Sequence, residues 1–158
     1  MQGITLAEQC KVVQALAPVD ATGGKNSAVI NMREHAHASL IVLVGVSAGT
    51  APTLTIEACD TLVPGTTQAI PFKYWAETTA ADDTPADMVL ATTSGVVLTT
   101  NDNTFVVVEV DARELPDGFG MLRAKLTSGA VSTICAVVAV LSGARYSGNP
   151  VNVRSAVA

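Results

Sequence analysis

Residues 120–128 read GMLRAKLTS. Leu122, Ala124 and Leu126 fall on one side of an extended chain, and Met121, Arg123 and Lys125 on the other. A period of two with small, apolar and β-branched residues predicts a half-buried strand. The same signal spreads outward in both directions. TLTIEAC (53–59) alternates Leu54, Ile56 and Ala58 against Thr53, Thr55 and Glu57. NTFVVVEVDA (103–112) sets Phe105, Val107 and Glu109 against Val106, Val108 and Val110. SLIVLVGV (39–46) and VSTICAVVAVLSGARY (131–146) are apolar on both faces. In TQAIPFKYW (67–75), Pro71 marks an edge or a bulge. SAVINM (27–32) and SGVVLTT (94–100) are shorter candidates.

About eight strands result, separated by turn clusters such as ATGGKNS, VPGTT, TNDN and LPDGFG. The expectation is an all-β chain: an antiparallel β-sandwich, jelly-roll-like or barrel-like. Its body spans residues 21–146. Residues 1–20 read as an N-terminal arm or short helix, because LAEQCKVVQAL (6–16) is the one stretch with helical spacing and APVDATGG breaks it from the body. Residues 147–158 read as a C-terminal tail. Leu122, Leu126, Val138 and Val140 lie on apolar stripes and are expected to be buried.

Composition narrows the function. The chain has 158 residues, 15% charged and 4% aromatic, with a net charge of −5. That acidic balance, without a Lys/Arg stripe, argues against nucleic acid as a partner. So little charge on a free surface is unusual and points to surface covered by partners. Three cysteines, Cys10, Cys59 and Cys135, are too few and too scattered for a disulfide framework and read as small thiols of a protein made in a cytoplasm. The N-terminal residues lack the basic flank and apolar run of a signal peptide, and no apolar run approaches a membrane span.

Four motifs invite chemistry. GVSAG (45–49) matches the G-x-S-x-G nucleophile elbow, with Ser47 as nucleophile. An elbow needs a helix next, but TAPTLTIEAC follows, and both histidines precede Ser47. Ser47 therefore reads as a turn residue of a hairpin. His35 and His37, two apart in EHAH, would share one face of a strand and could pair on a metal, with Cys59, Asp60 or Asp111 to complete it. No spacing demands that convergence, and polar strand-edge residues are the plainer reading. Asp82, Asp83 and Asp87 in ADDTPAD lack the order of a calcium loop. Glu109, Asp111, Arg113 and Glu114 read as a corner: a strand ending at Asp111, a short turn, then Pro116–Gly118. The reading is no enzyme, no cofactor and no small-molecule substrate.

ALAPVDATGG, REHAHASLIVLVGV, IPFKYWAETTAADDT, FVVVEVDARELPDGFGMLRAKL and AVVAVLSGARY together span nearly the whole chain. In order and spacing they resemble a family of small tailed-bacteriophage structural proteins found beside the major capsid protein. The resemblance implies a capsid decoration (cement) or auxiliary head protein, made in the host cytoplasm and placed on the outside of the virion head. Its partners would be the major capsid protein and itself, as a trimer in the first instance and a dimer in the second. It carries over no functional residue. Alternatives are another phage structural component (tail-tube, connector or fibre-base protein) or a small metal-binding β-barrel using His35 and His37. Within this reading Ile4, Leu6, Val12, Val13 and Leu16 are the candidate partner-binding residues, since an arm this apolar needs cover.

Overall fold

The computed structural model describes residues 3, 5–49, 51–80, 84–98, 102–127 and 132–145. Among these the regular structure is almost entirely strand, in two antiparallel sheets packed as a sandwich. One helical turn, α1 (Leu6–Gln9), precedes β1 (Lys11–Asp20). Then follow β2 (Lys25–Asn26), β3 (Ile30–Asn31), β4 (His35–Ser47), β5 (Thr53–Cys59), β6 (Thr67–Ile70), β7 (Phe72–Ala76), β8 (Val89–Ala91), β9 (Val96–Val97), β10 (Thr104–Asp111), β11 (Met121–Thr127) and β12 (Thr133–Ala144). The count of about eight rises to twelve among the described residues. Pro71 divides one expected strand into β6 and β7, which join different sheets.

The first sheet runs β1-β12-β4-β10-β7-β8. The second runs β2-β11-β5-β6, with β3 also on β11 and β9 also on β5. Between them lies one core. Leu40, Val42 and Val44 of β4, Val106, Val108 and Val110 of β10, and Val137, Ala139 and Leu141 of β12 enter from the first sheet. Leu54, Ile56 and Ala58 of β5 and Leu122, Ala124 and Leu126 of β11 enter from the second. The alternation read for β5 and β11 is the packed arrangement. Burying each large aliphatic side chain contributes about 1.5–3 kcal/mol, so the meeting of these two faces is what holds the sandwich.

Three expectations change. Residues 11–20 are not an arm: β1 pairs antiparallel with β12, and Ala15 sits in the core. The helical spacing has a sheet explanation. A bulge between Gln14 and Leu16 shifts the pleat, so Val13 and Leu16, three apart, both turn toward the core. Pro18, which lacks an N–H, is accommodated because β1 is an edge strand. Val138 and Val140 are only half-buried, because Val137, Ala139 and Leu141 take the inner face. GVSAG is not a hairpin turn either. β4 and β5 belong to different sheets, so the segment arches from one layer to the other. The expected tail, 147–158, lies outside the described residues.

Candidate functional site

An antiparallel sheet with one solvated face normally places polar residues on that face. The second sheet does so. Its outer side carries Thr53, Thr55 and Glu57 on β5 opposite Thr127, Lys125 and Arg123 on β11. Glu57 is buried there and bridges two cations: Arg123 donates to its Oε2 from Nε at 2.8 Å and Nη2 at 2.7 Å, and Lys125 Nζ donates to Oε1 at 2.8 Å. Burial pushes the Glu57 pKa up, but the hydrogen bonds from Lys125 and Arg123 outweigh it and hold the carboxylate below its usual range.

The first sheet breaks the rule. Its registers line up outward-facing residues in rows across the strands. One row runs Gln14, Val138, Ile41, Val107, Trp75 from β1 to β7. The next toward the end of β12 that begins at Thr133 runs Ala136, Leu43, Phe105. Ile134 and Val46 continue that end, both exposed. On the other side Val12 and Val140 stand beside Ser39, Glu109, Lys73 and Leu90. Leu43 is 43% exposed, Val12 49% and Leu90 65%. A shallow depression of about 350 Å³ lies among Pro18, Leu43, Gly45, Phe105, Ile134 and Ala136. Gly45 keeps it open at one side, since a Cβ there would meet the Ile134 side chain at 3.3 Å.

A polar cluster closes the far end of this face. His37 of β4 lies between two carboxylates of β10: Nδ1 is 2.9 Å from Asp111 Oδ1, and Nε2 is 2.5 Å from Glu109 Oε2. Ser39 donates to the same Glu109 oxygen at 2.6 Å. Partial burial disfavours the imidazolium, but the bonds to Asp111 and Glu109 outweigh it and raise the His37 pKa. Asp111 is lowered in turn, first by His37. Around them Arg113 pairs with Asp111 at 3.2 Å and Lys73 with Glu114 at 3.5 Å. The corner is as expected: a short 3-10 turn over Ala112–Glu114, with Glu114 accepting the Asp111 N–H at 2.9 Å.

The other candidates separate. Ser47 Oγ lies 2.9 Å from Thr133 Oγ1 and donates to the Gly49 carbonyl at 3.3 Å. Ten residues of strand, about 33 Å, separate it from His37, so no triad forms. His35 is fully buried, its Nδ1 3.4 Å from the Asn31 carbonyl, and desolvation lowers its pKa. Among the described residues no group of three or more His, Cys, Asp or Glu is placed to hold a metal. Asp60 instead organises its loop, accepting from the N–H groups of Thr61, Gly65 and Thr66. Cys59 is buried, and desolvation pushes its thiol up to about 11. Asp87 is exposed, and Asp82 and Asp83 lie outside the described residues.

The five partner-binding candidates divide likewise. Leu6, on α1, is 48% exposed, and Val12 joins the outer face of the first sheet. Val13 and Leu16 pack on the chain's own core, so they are not free to contact a partner. Ile4 lies outside the described residues. The residues missed from sequence are Ile41, Leu43, Val107, Phe105 and Trp75. Their signal was present in strands apolar on both faces, which an isolated sandwich does not need. Comparison with protein-family models and with curated proteins finds no match to this chain.

Proposed function

We propose that this chain is a structural virion protein, a decoration (cement) protein that binds the outside of a tailed-phage head and reinforces the major capsid protein lattice. The observation that carries the reading is the contrast between the two outer faces. One is mainly polar, with Thr53, Thr55, Glu57, Arg123 and Lys125; the other presents rows of Val, Ile, Leu, Phe and Trp. Apolar area removed from water contributes roughly 25 cal/mol per Å², and a protein that leaves such a face open in isolation is built to have it covered. The resemblance to phage head proteins supplies the kind of assembly. A rigid sandwich suits it: contacts repeated around a shell add by avidity, with no chemistry required.

The experiment is the copy number of the chain in purified particles, by quantitative mass spectrometry. A decoration protein is present in hundreds of copies. A single ring's worth makes it a connector or tail component, and absence from particles refutes the virion reading.

A further inference from the structure

We propose that the outer face of the first sheet is a self-association surface, closed in solution by the same face of a second copy. The inference rests on reading the chain as an assembly subunit, and it names what covers the face.

Three observations select a second copy. The first is shape. Two pleated sheets stack face to face about 10 Å apart, with side-chain rows interdigitating at a small angle. A twofold contact requires one patch to complement itself. The row Val138, Ile41, Val107, Trp75 holds no charge, lies near the middle of the face, and meets its own copy across such an axis.

The second is size. Six strands spaced about 4.8 Å apart, with six residues of rise between Ile134 and Val140, give a face of about 29 by 20 Å. Both copies together then bury about 1,200 Å², which reaches the lower bound of a specific interface.

The third is charge. The charged rim groups at the polar end are paired with opposite charges: Arg113 with Asp111, Lys73 with Glu114 and, when its imidazole is protonated, His37 with Glu109. Two identical rims can therefore approach without the repulsion that unpaired like charges would cause. A partner recognised by charge would instead need a rim with charge to spare.

Trp75 is the chain's one tryptophan and stands in the middle row, so its emission reports whether the face is covered, without any substitution. The test is sedimentation velocity and Trp75 fluorescence over about 0.1–100 µM protein, a range that spans the affinities expected of an interface this small. The expected result is a monomer–dimer equilibrium in which dilution shifts Trp75 emission to the red. Leu43→Lys, at an already exposed site, should weaken the dimer about 100-fold or more, as a charge at an interface centre does. Thr55→Lys, on the polar outer face of the other sheet, should leave the dimer intact. A chain that stays monomeric throughout, an oligomer of another order, or dissociation that leaves Trp75 emission unmoved overturns the proposal. So does a dimer broken by Thr55→Lys but not by Leu43→Lys. A chain that dimerises yet is absent from particles keeps the pairing and loses only the virion reading.

Discussion

Leu40 and Leu43 are the same residue on the same strand, three positions apart and on opposite faces. Leu40 is 0% exposed, between Ala139 of β12 and Val108 of β10. Leu43 is 43% exposed on the outer face. Truncating Leu40 to Ala removes three buried carbons, about 2.4 kcal/mol at about 0.8 per methylene. The cavity left between two paired sheets collapses only in part, which brings the total to about 3–5 kcal/mol. At about 2–4 °C per kcal/mol for a chain of this size, the melting temperature should fall by roughly 6–20 °C. Leu43→Ala removes the same atoms from a half-wet site and should cost about 1 kcal/mol or less in the separated chain. The assay is urea unfolding at a concentration low enough to keep copies apart, with unchanged slopes confirming that only stability has moved. Equal losses, or a larger loss for Leu43→Ala, would mean that the pleat of β4 is inverted and that the apolar outer face does not exist.

Three further outcomes follow from local geometry. Gly95 has φ +80°, and a Cβ there would sit 2.2 Å from the Leu54 carbonyl oxygen, so Gly95→Ala should destabilise by about 2 kcal/mol or more and free β9 from β5, seen as faster amide exchange at Val96 and Val97. Ser47→Ala removes a partner of the buried Thr133 hydroxyl and should cost about 0.5–1.5 kcal/mol by urea unfolding; stoichiometric labelling of Ser47 in the native chain by a fluorophosphonate would contradict a purely structural role at the end of β4. The raised pKa of His37 makes its ion pairs stabilising below the ordinary histidine value of 6.5, with the gain lost as pH rises through the folded value. The stability advantage over His37→Gln should therefore be larger at about pH 5.5 than at about pH 8.5, and an advantage that grows with pH would reverse the assignment.

Where one face is polar, the fold was legible. Thr53–Cys59 and Met121–Thr127 alternate, and both lie in the structure as read. Where both faces are apolar, period two says strand but not which face is inward. That is why Val138 and Val140 were expected inside, although Val137, Ala139 and Leu141 occupy that side. In β1 the bulge at Ala15 imitates helical spacing, and only pairing with a strand more than a hundred residues away resolves it. A strand as short as Val89–Ala91 holds too few residues to show a period, whereas Val96–Val97 lies within the SGVVLTT candidate. The residues after GVSAG read as a strand and β5 is one, but they cannot reveal that β5 joins the opposite layer. The candidate face was half legible. Its residues were assigned to strands, and the low charge announced covered surface, but rows across five strands exist only once the registers are set.

β12 is the last strand in sequence among the described residues, yet it lies inside its sheet, between β1 and β4. On a ribosome β1 emerges first and β12 last. At 5–20 residues per second, roughly ten seconds pass before β1 meets β12, the strand beside it in the sheet. During that interval β4 has its β12 edge unpaired, and its Leu40–Val44 stretch, apolar on both faces, is ready to template pairing with another chain. Release of soluble protein therefore depends on how promptly the final strand is delivered. A chain terminated before Thr133 keeps that edge permanently open and is destined for aggregates.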